Sequence, residues 1–544
     1  MTPAEEKLYT DLDVEFADLM IRLAGENASV VLKKYALDLA SAVRNGAGCI
    51  PVKNEAERTE LSRARPAVGR YPGDGWAFPL LLEGDRLYFQ RLLKLENKLA
   101  QLLLGLAVRP VPAPPPDRVD EIFSPLPPSP ALDRQKQAVR NALKHPLAII
   151  SGGPGTGKTT VASALLYQEL LRTPAPRIAI AAPTGKAHVR LREALSADAA
   201  KFAIPEEFRQ RIQTLPGGTI HRLLEWGKSG SARSSDAPLP YDLLLVDECS
   251  MISLELMTAL LEALRPGARL IMLGDRAQLA SVDSGVVFSD LCEAAGNAPA
   301  GHPLHGIEST LSYNFRARSA PGLVALADSL RRGELAPDQP ILPLPAGRRK
   351  TADALAPDLE VFSDLSGLCR KGDAEALKQA FALLDKFRII CAVNGDAPYG
   401  VSGVNRIVLA ALGLEEDSPG VPVMVTRNTY ALDLFNGDTG LIVNGGLVRF
   451  PGRDDAIPLA ALPGHDIAYA ITAHKSQGSG YDRVLLLLPP ARSQVVTREL
   501  IYTAVTRARK EVTIRGVREL IAEAVSRRFV KNSGLAGKLL RGSV

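Results

Sequence analysis

The stretch PLAIISGGPGTGKTT, residues 146–160, restricts the possible folds of this chain more than any other. An apolar run enters a glycine-rich loop that matches GxxxxGK[ST] from Gly152 through Gly157, Lys158 and Thr159, and a helix-forming run follows. Glycines let backbone N–H groups converge on phosphate oxygens, which requires the loop to join the end of a buried strand to the start of a helix. A parallel α/β sheet is therefore expected. The phosphate cradle would comprise Gly152, Gly153, Pro154, Gly155, Thr156, Gly157, Lys158, Thr159 and Thr160. Lys158 is suited to the β and γ phosphates, and the Thr159 hydroxyl to Mg²⁺.

RIAIAAP, YDLLLVDE and ARLIMLGD continue the pattern of apolar runs parted by helical stretches, as strands covered on both faces require. A second set, FRIICAV, HDIAYAITAH, RVLLLLP and EVTIRG, predicts a second α/β core. VPVMVTRN and TGLIVNGGLVRFPGR, rich in Val and Gly, predict a small β insertion within it at about 415–462. Proline density over residues 107–130, AVRPVPAPPPDRVDEIFSPLPPSP, predicts an extended linker. Spacings of three and four in GDRLYFQRLLKLENKLAQLLLGL, from Gly84, predict a small helical domain over 1–106. The two cores then occupy 131–345 and 346–544.

A net charge of +5 is weak evidence for a polyanionic partner. Five cysteines, widely spaced and odd in number, argue for reduced thiols in a cytosolic protein. The acidic N-terminus is unlike a secretory signal, and no apolar run approaches the roughly 20 residues of a membrane span. A soluble, cytoplasmic chain with no membrane partner is expected.

Phosphoryl transfer needs more than a loop. YDLLLVDECS supplies Asp247, suited to Mg²⁺, and Glu248, suited to polarising the attacking water. Gln278 follows a third strand and is positioned to bond a γ-phosphate. Arg316 in LSYNFRARS and Arg507 in IYTAVTRARKEV are the candidates for charge against the transition state.

The order of these segments resembles a superfamily 1 helicase across nearly the whole chain. GGPGTGKTT is similar to motif I, APTGKA to Ia, TIHRLL to Ib, VDECSM to II, LGDRAQL to III, YNFR to IV, HKSQGS to V and YTAVTRAR to VI. The forms of motifs I, II and V, together with FNGD at 435–438, resemble the RecD family, the α subunits of exonuclease V, within superfamily 1B. That resemblance implies two tandem RecA-like motor domains, an SH3-like β insertion and ATP with Mg²⁺. It also implies an N-terminal domain that docks on RecB and RecC partners in RecBCD. Gln135 in DRQKQAV is similar to the glutamine that reads the adenine edge, and Thr184, Lys186, His221, Asn436, His474, Ser476 and Gln477 are similar to residues that bind single-stranded DNA.

The implied activity is ATP-dependent 5′-to-3′ translocation along single-stranded DNA, on the 5′-ended strand of a duplex end, in double-strand-break repair. Two departures stand out: Cys249 takes the place of Ala in DEASM, and Gly480 the place of Glu in HKSQGSE. An ATP-gated subunit with a degenerate motor should lack one of Lys158, Glu248, Gln278 or Arg507; all are present. A nuclease should carry an added acidic domain, which is not found, so DNA degradation would reside in a partner chain. A stand-alone RecD-like helicase should carry a longer N-terminal region with helix-hairpin-helix character.

Overall fold

The computed structural model describes residues 9–542, apart from 173, 175, 228–229, 282–283, 316–318, 346, 430–431, 433, 463 and 528–531. Four sheets organise the described residues. The first is N-terminal and built from β1 (Ile50–Pro51), β2 (Val68–Arg70), β3 (Leu80–Glu83) and β4 (Arg86–Phe89), in the order β1-β4-β3-β2. The first α/β core holds β5 (Leu147–Gly152), β6 (Ile178–Ala182), β7 (Gly217–Thr219), β8 (Leu243–Val246), β9 (Arg269–Gly274) and β10 (Glu308–Leu311). Its order is β10-β5-β9-β8-β6-β7, and every pairing is parallel. Helices on both faces bury β5, β6, β8 and β9 completely, so these strands read as continuous apolar runs in sequence.

The second core runs from β11 (Phe387–Cys391) and is interrupted by β12 (Pro422–Val425), β13 (Thr439–Val443), β14 (Leu447–Arg449), β15 (Ala456–Pro458) and β16 (His465–Ile467). It resumes with β17 (Ala470–Thr472), β18 (Tyr481–Leu487) and β19 (Ala508–Arg515). The core order is β17-β11-β18-β19, all parallel, whereas the insertion is antiparallel in the order β15-β14-β13-β12-β16. HDIAYAITAH, expected as one strand, is two. Its first half closes the insertion sheet, beyond the expected limit at 462, and its second half returns to the core.

The N-terminal region contains the expected helices, Asp11–Ala24, Val30–Arg44, Glu55–Arg63 and Gln90–Ala107, and also the unexpected sheet. Its strands have two to four residues, too few for a periodic signal. LYF, expected as helix, lies in β4 because Gly84, at φ +59°, turns β3 back onto it. Gln90–Ala107 then buries Leu99, Leu103 and Leu106 in the same core as Leu260 and Leu264 of the first α/β core.

The proline-rich segment does not float. Val119–Phe123 form a short helix whose Val119, Ile122 and Phe123 join the first core's interior. Arg140 pairs with Asp117 at 2.7 Å and Asp120 at 2.6 Å, and the Gln168 amide donates to the Pro116 carbonyl. The expected extended spacer is thus strapped to the first core by buried apolar side chains.

The chain's last helix, Leu535–Arg541, also returns to the first core, against Val287–Asn297 and Gln90–Ala107. Lys538 pairs there with Glu96 at 3.0 Å and with Glu83. Asp290 lies beside this cluster with one carboxylate oxygen unpartnered, and burial pushes its carboxyl up to about 7, opposed by Ser533 and reinforced by Glu96. An unfolded Asp titrates near 3.9, so the folded chain keeps this proton where the unfolded chain has lost it. The stabilisation from Asp290 is therefore complete below about pH 4 and is lost as pH rises through about 7. Asp290→Asn is expected to gain about 2–4 kcal/mol over the parent at pH 8, with the gain shrinking toward pH 4. Chemical denaturation across that range measures it; a pH-independent difference would refute it.

Candidate functional site

The loop after β5 is held open by two left-handed glycines, Gly155 at φ +82° and Gly157 at φ +87°. A Cβ at Gly157 would also overlap the Gln135 amide, so this glycine answers to both conformation and space. The Lys158 ammonium donates to the Gly152 carbonyl at 2.6 Å and the Gly153 carbonyl at 3.3 Å, contacts a phosphate would replace. Thr156 and Gly152 support the loop from behind: the Thr156 hydroxyl donates to the Gly153 carbonyl at 2.8 Å, and Gly152 ends β5 against Leu311. Gly153, Pro154, Gly155, Gly157, Lys158, Thr159 and Thr160 face a cavity of about 820 Å³.

Asp247 and Glu248 line the same cavity at the end of β8. Glu248 adopts φ 53°, ψ 40°, a conformation that costs a non-glycine residue free energy and is retained where a side chain must be aimed. Its N–H donates to Asp247 Oδ1 at 2.8 Å. Burial and the adjacent Glu248 charge push Asp247 up to about 6, with Lys158 opposing. The half-buried Asp247 carboxylate and the Thr159 hydroxyl line one cavity, a donor set that a divalent cation fits.

Gln278 stands 5% exposed in this cavity, its amide N–H₂ donating to Asp275 at 3.2 Å and its carbonyl oxygen unpartnered. From the second core come Gly478, Ser479, Gly480, Arg507 and Arg509. Arg507 is buried, with Nε donating to the Thr503 carbonyl at 3.1 Å and Nη1 to the Ser479 carbonyl at 3.2 Å. Arg316 lies outside the described residues. Its neighbour Phe315, which the sequence reading passed over, lines the cavity and donates its N–H to the Gly155 carbonyl at 2.9 Å. Leu126, Pro127 and Pro128, read only as linker, form the wall near Leu132 and Gln135.

Hydrogen bonds join the two cores across the cleft. The Tyr502 hydroxyl donates to Asp275 at 3.0 Å, the Leu279 N–H to the Thr503 hydroxyl at 2.8 Å, and the Gln477 amide to the Leu279 carbonyl at 2.9 Å. Gln477 and Ser476 therefore differ from their expected role on DNA. The Ser476 hydroxyl is fully buried on the Ala473 carbonyl at 2.7 Å, and Gln477 is a cross-cleft tie. A turn packed against the opposite core consumes these groups, which the motif pattern alone could not reveal.

A second cavity of about 1030 Å³ lies between the first core and the insertion, lined by Lys186, His188, Arg192, Arg222, Arg388 and Arg453 among aromatic Phe381, Phe435 and Phe450. Phe435 sits on Gly185, where any Cβ would come within 2.7 Å of its ring. Of the other residues expected on DNA, Thr184 caps the helix Gly185–Ala199, His221 meets Trp226 edge to face and Asn436 is exposed beside Phe435. His474 is half-buried.

A model of the AAA domain matches residues 135–284, and one of the UvrD-like helicase C-terminal domain matches 467–514. The RecBCD enzyme subunit RecD of Mycolicibacterium smegmatis is 36% identical over 97% of this chain and 97% of its own length. The chain belongs to the RecD family. The RecD subunit of Haemophilus influenzae is 32% identical over 75% of this chain and 72% of its own. The ATP-dependent RecD2 DNA helicase of Deinococcus radiodurans is 30% identical over 78% of this chain but only 54% of its own. A Bacteroides Pif1 helicase in complex with ADP-AlF3 and ssDNA is 17% identical with a TM-score of 0.40, covering 71% of this chain and 92% of that one. Within the RecD family, Cys249 is buried with its thiol on the Val246 carbonyl at 3.2 Å, so it fills the space of a small residue.

Proposed function

We propose that this RecD-family chain is an ATP-dependent DNA helicase that translocates 5′ to 3′ on single strands and serves as a motor subunit of a RecBCD-type exonuclease V. The observation that carries the reading is the cross-cleft tie at Leu279. Gln278, placed for a γ-phosphate, is adjacent to the residue that Gln477 and Thr503 of the second core grip. Closing the cavity on nucleotide therefore moves the second core relative to the first, and the cationic, aromatic second cavity between them would pass that motion to DNA. Thr184, Lys186, His221, Asn436 and His474 remain candidates for the DNA side. Thr159 and Asp247 would hold Mg²⁺, which supplies positive charge to the phosphates, and Glu248 would orient the attacking water. We read the five-stranded insertion as SH3-like, and the chain as cytoplasmic. No described helix is long and apolar enough to cross a membrane. A duplex with a 5′ single-stranded tail should be unwound at least about tenfold faster than one with a 3′ tail; equal rates would remove the polarity.

RecB and RecC are proposed partners, with DNA degradation assigned to a partner chain. The helix Asp11–Ala24 and its neighbour expose Leu12 by 75%, Leu19 by 49% and Val30 by 87%, a face no intrachain packing covers among the described residues. Leu19→Asp with Val30→Asp should abolish co-purification with RecB and RecC while DNA-stimulated ATPase persists. Intact assembly would move the partner surface elsewhere. Removing residues 1–130 would be the poorer test, because Gln90–Ala107 belongs to the first core's interior. A stand-alone helicase is the second reading. The 30% identity to the ATP-dependent RecD2 DNA helicase of Deinococcus radiodurans supports it.

A further inference from the structure

We infer that Arg190 and Arg509, from opposite cores, form a phosphate-binding subsite beside Gly480, separate from the Lys158 loop. The inference rests on the reading of the first cavity as a nucleotide site. Arg190 lies on the helix Gly185–Ala199, and both arginines line the nucleotide cavity and the second cavity, so they stand where the two meet. A Cβ built on Gly480 would lie 3.4 Å from Arg509 Nε, 3.6 Å from Arg190 Nη1 and 3.7 Å from the Arg507 carbonyl. These are ordinary contacts, and Gly480 does not have a left-handed φ, so neither space nor backbone demands glycine here.

What glycine does is add no carboxylate of its own between the two guanidinium groups. Arg190, half-buried, has no hydrogen bond or ion pair among the described residues. Tyr481, and Asp385 from beyond ion-pair distance, act on it through space. Arg509 turns Nη1 to Asp482 at 3.6 Å, an acid that Lys510 already holds at 2.7 Å, and presents Nε to Gly480. Arg507 is spent on backbone carbonyls. Planar guanidinium groups that converge on one point suit a tetrahedral oxyanion. The phosphate has two possible sources, the nucleotide side (a terminal or released phosphate) and the nucleic-acid backbone, because the subsite faces both cavities.

The test uses the full chain with Arg190→Gln and Gly480→Glu, the second placing a carboxylate within reach of both arginines. Thermal midpoints are measured with MgADP alone, then with MgADP and increasing inorganic phosphate. Binding of a dT16 oligonucleotide is measured against salt without nucleotide. A nucleotide-side phosphate predicts that both variants keep the MgADP shift but weaken the phosphate response at least about tenfold. A backbone phosphate predicts instead that both variants lower the salt slope of dT16 binding by about one. Either result supports the subsite. Wild-type behaviour of both variants in both titrations overturns it. Should MgADP fail to raise the wild-type midpoint, the nucleotide reading falls and the dT16 titration still decides the subsite.

Discussion

Lys158→Gln is expected to lower DNA-stimulated ATP hydrolysis by about 10²–10³-fold or more while the chain stays folded. The ammonium is half-buried at the start of the helix Lys158–Leu170, and its bonds to the Gly152 and Gly153 carbonyls hold the loop closed on itself. Gln keeps similar length and a donor for those carbonyls, so the loop's packing survives. It removes the positive charge that meets the β and γ phosphates, where negative charge builds during transfer. Phosphate release assayed with and without single-stranded DNA measures the effect, with the thermal midpoint as control. Wild-type turnover would displace the catalytic centre from this loop.

The parts most legible in sequence were those where chemistry and burial impose the same pattern. β5, β6, β8 and β9 are buried on both faces, so each reads as an unbroken apolar run, and each delivers a polar motif at its C-terminal end. That geometry brings Lys158, Asp247, Glu248 and Gln278 to one cavity. Three features were hidden for separate physical reasons. The N-terminal strands are too short to show alternation, and β4 runs without a break into the helix from Gln90. The proline-rich stretch looks like a spacer by composition, yet Ile122 and Phe123 are buried in the core and Pro127 and Pro128 face the nucleotide cavity. Ser476 and Gln477 carry polar groups that composition assigns to a ligand, but their partners are the Ala473 and Leu279 carbonyls, one of them nearly two hundred positions away. Sequence spacing reveals which polar groups exist; only the packing of one core against the other reveals which are already used.

Arg507 gives the sharpest separation between binding and catalysis. Its guanidinium lies in the wall of the nucleotide cavity, supplied by the second core while the phosphate loop belongs to the first, and it is parked on the Thr503 and Ser479 carbonyls. Such a group contributes little to a ground state in which the cleft is open. It contributes most when closure carries it to the charge that develops on the transferred phosphoryl group. Arg507→Ala is therefore expected to lower kcat by about 10³-fold while nucleotide affinity changes by only a few-fold. Arg507→Lys separates this role from scaffolding. A lysine can still reach one carbonyl and keep the turn at Ser479, yet its single ammonium cannot reproduce the fork of a guanidinium, so turnover should stay low while the thermal midpoint recovers toward the parent. Equilibrium binding of a fluorescent ADP analogue, single-turnover hydrolysis and thermal unfolding on the same three proteins provide the comparison. Parallel losses of affinity and kcat in both variants would make Arg507 a ground-state ligand, and recovery of turnover by lysine would reduce its role to holding the loop.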